Sequence, residues 1–281
     1  MNFDVLLPTM VFAIVAMSVF LYKKIQGKLN TTFEGREMGA RDAVVMVISM
    51  GIMVTVIAFI PGLAIQIFFI AAYSYMLFSF VYIVLGKWYV AVIPPIVFVA
   101  FYLFSWNSLV IFNLFVALFA LITIVYMGTL FSWKITLLFS VLLTVMDIIQ
   151  VFGTGFMVEA AQKMIGLQLP IAVIIPTYPV ILSGPIMLGL GDIFLSGLLA
   201  IQTAMKHGQK AGILTAATIG ISMFVFEVTW FNGILSADRG FPATVVVIAG
   251  WALGMGIIYL ANSMKKTGLR RTQKTTEKGP E

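Results

Sequence analysis

From Ala43 to Gly86 the chain carries no charged side chain. One helix of that length would be about 65 Å long, roughly twice the hydrocarbon thickness of a bilayer. Pro61-Gly62 falls inside the run and divides it into two segments of spanning length. The rest of the chain follows the same pattern. It is 61% hydrophobic and 10% charged, with a mean hydropathy of +1.08. A soluble globular chain carries about 25% charged residues. A deficit of this size cannot cover a water-facing surface, so the chain reads as an all-α integral membrane protein.

A helix that crosses a bilayer needs roughly 20 mostly apolar residues. Nine such segments are predicted: 5–22, 43–60, 63–86, 88–105, 108–128, 135–153, 180–205, 211–232 and 241–262. Trp106-Asn107 separates the fourth from the fifth. Trp88, Tyr89, Trp106, Trp133 and Trp230 fall near span ends, where aromatic side chains sit at the membrane surface.

Nine spans put the two termini on opposite sides. Of the 17 Lys and Arg, only Lys163 and Arg239 then fall on one side. The other side receives Lys23, Lys24, Lys28, Arg36, Arg41, Lys87, Lys134, Lys206, Lys210 and the basic tail from Lys265 to Lys278. Basic residues concentrate in cytoplasmic loops, so the N-terminus is expected outside and the C-terminus in the cytoplasm. This asymmetry accounts for the net charge of +6, with contact to anionic lipid and no need for nucleic acid. There is no Cys, which excludes disulfides and thiolate metal sites. The single His, His207, lies beside Lys206 and Lys210 and reads as a loop residue. No metal or cofactor is expected. The N-terminus lacks a basic segment ahead of its apolar run, unlike a cleaved signal peptide.

Residues 154–179 break the pattern. Glu159 and Lys163 stand four apart in an apolar setting and suggest a short interfacial helix. The following segment, residues 167–179, contains Pro170, Pro176 and Pro179 among β-branched residues and predicts an extended or re-entrant piece. The tail from Lys265 is polar and is expected to be disordered.

An ionisable residue deep in a span is costly and marks function by default. Asp147 and Asp192 are the two clear cases. Asp147 lies 13 residues after Lys134 on a span running outward, and Asp192 lies 14 residues before Lys206 on the next span, running inward. Both are therefore roughly 20 Å from the cytoplasmic end. Two carboxyls at one depth in a low dielectric can share a single proton, the state that lets one activate water while the other protonates a carbonyl oxygen. Gly189 and Gly191 leave room for another backbone beside Asp192. Glu227 is nearer the outer end of its span and reads as an interfacial or cavity-facing residue, with Asn232 near it.

Gly189-Leu190-Gly191-Asp192 resembles the GxGD motif of the intramembrane aspartyl proteases, the family of presenilins, signal peptide peptidases and their archaeal homologues. Asp147 matches the family's other catalytic aspartate. The run that follows it, "DIIQVFGTGFMV", is similar to signal peptide peptidases in particular. Pro242-Ala243-Thr244 falls where the family has Pro-Ala-Leu. The resemblance implies a presenilin-like fold of nine transmembrane helices, with Asp147 and Asp192 catalytic. It implies substrate binding at Gly189, Leu190, Gly191, Met146, Pro242, Ala243 and Thr244. Three positions depart from the family pattern. Met146 replaces Tyr or Phe and is expected to tune substrate fit, Thr244 replaces Leu, and Phe241 stands where Gln is common.

Within this resemblance, residues 1–166 would hold six spans and the interfacial helix, 167–179 the connecting segment, 180–262 the last three spans, and 263–281 a basic cytoplasmic tail. An outside N-terminus resembles the signal peptide peptidase branch. The implied partners are transmembrane helical peptides with a cytoplasmic N-terminus, in the plasma membrane of an archaeal cell, and a homo-oligomer stays open. The rival reading is a proton-coupled transporter or channel using the same Asp pair as a relay.

Overall fold

The computed structural model describes residues 3–33, 36–104, 108–178, 185–232 and 241–277. Trp106, Asn107, Arg239, Lys278 and residues 179–184, all singled out above, lie outside the described residues.

The chain is built almost wholly of helices. In order they are α1 (Leu6–Thr32), α2 (Ala40–Phe59), α3 (Gly62–Leu85), α4 (Trp88–Ala91), α5 (Ile93–Phe104), α6 (Leu109–Leu130) and α7 (Trp133–Ile148). A π-helical turn, Ile149–Thr154, leads into α8 (Phe156–Gly166). Two strands follow, β1 (Ala172–Ile175) and β2 (Ile186–Gly189), and then α9 (Leu190–His207), α10 (Gln209–Phe231) and α11 (Ala243–Glu277).

Local chemistry sets these boundaries. Ile60 turns extended ahead of Pro61, which ends α2 and divides the uncharged run where the sequence predicts. Asp42 accepts the Gly39 N–H at 2.9 Å and caps the start of α2. Gly86 ends α3 in the left-handed region, at φ +69°. The fourth predicted span is interrupted at Val92, just before Pro94 and Pro95, so α4 and α5 are two short helices.

Seven helices among the described residues are long and apolar enough to cross a membrane. The chain is thus a multi-pass membrane protein by the length and composition of its helices. The α4–α5 pair is a shorter apolar stretch. α9 is the other predicted span outside the seven, and its surroundings explain it. Every residue from Ile193 to Thr203 is buried, and α1, α6, α7, α10 and α11 all contact it. A helix sheathed by other helices needs no lipid-compatible surface. It therefore accommodates Ser196, Gln202 and Thr203, and Gln202 donates from Nε2 to the carbonyls of Gly128 and Phe131 at 3.1 and 2.6 Å, where α6 ends.

Three features differ from the sequence reading. Within the span predicted from residue 180, Ile186–Gly189 pairs as a strand and α9 begins at Leu190. His207, expected in a loop, closes α9 and is half-buried, its ring 6.0 Å from that of Trp133. The tail expected to be disordered from Lys265 instead prolongs α11 to Glu277, in keeping with its Lys, Arg, Gln and Glu, which are good helix formers.

Small residues let α11 close on α10. A Cβ at Gly250 would come to 2.7 Å from the Ile219 Cα, and one at Gly254 to 2.6 Å from the Thr218 Oγ1. Such seams allow close backbone approach where lipid gives no hydrophobic drive. We expect Gly250→Ala to destabilise the protein by about 1–3 kcal/mol through overpacking. Gly256→Ala, where a Cβ would meet nothing within 4 Å, should be close to neutral. Thermal unfolding in detergent micelles checks the pair.

Candidate functional site

Asp147 and Asp192 approach one another because α7 and α9 are neighbours in matched register. The Lys206 ammonium sits 4.2 Å from the centroid of the Trp133 ring, so the start of α7 and the end of α9 share one level. As many residues separate Trp133 from Asp147 as separate Asp192 from Lys206. Both carboxyls therefore lie about 21 Å from that shared end. Asp147 is buried, at 8% exposure, and Asp192 is half-buried. They are near enough for the charge of one to act on the other. The Thr244 side chain reaches Asp147 from the first turn of α11. Its hydroxyl is buried and has no hydrogen-bond partner. Three helices thus bring Asp147, Asp192 and Thr244 together.

A strand-to-helix transition delivers Asp192. β2 ends at Gly189, and Asp192 stands in the first turn of α9. A Cβ on Gly189 would lie 3.2 Å from the Asp192 Oδ2, tighter than ordinary contact, so a side chain there would press on the carboxylate. Gly191 is exposed, and a Cβ on it would meet nothing within 4 Å. Leu190 is half-buried against the core, and its N–H donates to the Ile171 carbonyl at 2.8 Å. Pro242 is buried just before α11, and Ala243 faces a cavity shared with β2.

Residues 172–175 and 186–189 form an antiparallel pair, with Ala172 opposite Gly189 and Ile175 opposite Ile186. Side chains from the surrounding helices satisfy the backbone around it. The Tyr73 hydroxyl donates to the Pro170 carbonyl at 3.1 Å, and that of Tyr102 to the Leu167 carbonyl at 3.0 Å. Asn113 takes both backbone groups of Ile174, accepting its N–H at 2.9 Å and donating to its carbonyl at 2.6 Å. Asn113 thereby occupies the outer edge of β1. The edge of β2 away from β1 pairs with no strand among the described residues.

Met146, half-buried, lies on the face of α7 towards α2. It packs on α2 at Gly51, where a Cβ would collide with its terminal methyl. Gln150, in the π-helical turn, is buried and donates to the Gly51 carbonyl at 3.0 Å. Sequence reasoning misses this anchor because Gln150 and Gly51 are 99 residues apart. The available signal is a polar Gln one turn beyond Asp147 in an apolar run. Asp4 is missed as well. It is fully buried and accepts the N–H groups of Leu6, Leu7 and Tyr178 at 3.3, 3.1 and 2.6 Å, which ties the start of α1 to the end of the β1 segment. Glu227 is also buried, with both oxygens unpartnered, while Asn232 is exposed. Among the described residues no group of three or more His, Asp or Glu is placed to hold a metal ion.

The chain matches no protein-family model, no curated protein and no solved structure.

The contact at Gly51 can be tested by substitution. Gly51→Ala should lower the unfolding temperature, and Met146→Ala should relieve much of that loss. A double-variant cycle by thermal unfolding should give a coupling of about 0.5–3 kcal/mol. Additive effects would mean that the two residues do not bear on one another.

Proposed function

We propose that this chain is an intramembrane aspartyl protease that hydrolyses peptide bonds within transmembrane segments. The observation that carries the reading is the placement of Asp147 and Asp192 at one depth on adjacent helices. In this reading the ionised carboxyl takes a proton from water, and the protonated one donates to the carbonyl oxygen of the scissile bond. Thr244 stands beside the Asp147 carboxyl. Gly189 and Gly191 keep the approach to Asp192 open.

A substrate helix hides its peptide bonds in its own hydrogen bonds. It has to unwind locally before water can attack, and the exposed backbone needs new partners at that depth. The free edge of β2, which leads into Asp192, supplies them by strand addition. Pro242 and Ala243 border the same groove. This edge favours a protease over a proton-coupled transporter, since a relay has no use for a strand template.

With α4–α5 and α9 added to the seven longer helices, the spans number nine, and the distribution of Lys and Arg supports an N-terminus outside. The preferred substrates are then single spans with a cytoplasmic N-terminus, such as leftover signal peptides, in the plasma membrane of an archaeal cell.

The test is cleavage of a single-span peptide by the purified protein in detergent, beside Asp147→Ala and Asp192→Ala. Each variant should lose activity by roughly 10²–10⁴-fold or more. Equal cleavage by parent and variants would assign the activity to a contaminant. Proton flux in vesicles, without cleavage of any peptide, would favour the transporter.

A further inference from the structure

Glu227 is a buried carboxyl that the proposed chemistry leaves unused. It lines a cavity of about 380 Å³ between β2, α10 and the start of α11. Glu227 is 5% exposed, and neither carboxyl oxygen has a hydrogen-bond partner. Its neighbour Asp4 shows the contrast. Asp4 is close enough for its charge to act on Glu227, yet it accepts three backbone N–H groups. A carboxyl kept only for structure finds donors in this way, because burial without them is costly. No basic residue among the described residues lines the cavity.

The walls suit one kind of guest. Phe226, Trp230, Phe231 and Phe241 line the cavity, with the Phe226 ring 5.4 Å from Trp230 and 4.7 Å from Phe241. Aromatic faces attract cations and cover aliphatic stems. An apolar slot with a carboxyl at its base is the arrangement that selects a long basic side chain. Ile186, Met187 and Leu188 of β2 form another wall, so the cavity adjoins the strand edge on which a substrate would lie.

We propose that this cavity is a specificity subsite for a Lys or Arg side chain of the substrate. The inference rests on the proteolytic reading above. Depth fixes the register. α9 ends at His207 and α10 begins at Gln209, so both are measured from one level. Glu227 then lies about 5 Å farther from that level than Asp192. In an extended peptide this is about one to two residues from the scissile bond. A substrate that enters with its N-terminus at the Lys206 end has its C-terminal part at the hairpin. The basic residue therefore follows the cleaved bond.

Two measurements test the subsite, the first without any need for cleavage. A variant that keeps Trp230 and has Phe at the other four Trp positions is titrated with n-butylammonium in detergent micelles. We expect saturable fluorescence quenching that weakens about tenfold or more in Glu227→Gln. Quenching that is absent, or equal in both, overturns the proposal. The second compares single-span peptides with Lys or Leu at each of the three residues after the cleaved bond. The Lys-to-Leu ratio of kcat/KM should reach about tenfold at one position. It should fall towards one in Glu227→Gln and recover in Glu227→Asp. The ratio cancels any general loss of activity. An unchanged ratio in Glu227→Gln overturns the subsite and leaves the protease standing. Binding of butylammonium through Glu227 without cleavage of any peptide keeps the cation site and removes the protease.

Discussion

Backbone groups at membrane depth have to be hydrogen-bonded within the protein, and the described non-helical stretch from residue 167 to 178, together with Ile186–Gly189, finds its partners without being a helix. Its polar groups are taken up by β1–β2 pairing, by Asn113 and by the hydroxyls of Tyr73 and Tyr102. Each of these side chains comes from a helix packed around the segment. The hairpin can exist only because α3, α5 and α6 offer polar groups on faces that are otherwise apolar. Once it exists, Gly189 and Asp192 are fixed at the point where strand turns into helix.

The central helix depends on the same enclosure. α9 carries buried Ser196 and Thr203, whose hydroxyls fold back on carbonyls of their own helix at 2.7 and 2.8 Å. Gln202 instead reaches out to the end of α6. A lipid-facing helix would gain nothing from such groups. Surrounded on all sides, α9 can hold a carboxyl at one end and basic residues at the other, and its register against α7 sets the depth of the Asp pair.

The helices are legible wherever one segment's own pattern decides its structure. The uncharged run from Ala43 divides at Pro61 as its sequence implies, and the extended character of residues 172–175 follows from their β-branching. The depth of Asp147 and Asp192 can be counted from Lys134 and Lys206 because a helix has a fixed rise. Contacts across long separations cannot be read in this way. Gly51 receives Met146 and Gln150 through the packing of α2 on α7, and no local pattern announces it. Counting along α10 places Glu227 near a membrane surface. The cavity it lines is completed by Leu7 of α1, by β2 and by the start of α11, three segments distant in the sequence.

The hairpin and the chemistry are linked through one short stretch. Hydrolysing a peptide bond in a membrane requires a place where non-helical backbone is tolerated and a carboxyl pair within reach of it. In the proposed proteolytic reading, Gly189–Asp192 is where the chain would meet both needs. The residues that let its own backbone leave the strand and begin a helix are those that hold Asp192. Asn113 closes the β1 edge at Ile174, so among the described residues the β2 edge is the unpaired one, and that edge runs directly into α9. In that reading the position of a guest strand along the Asp pair would be set by covalent continuity, with no separate device needed to align them.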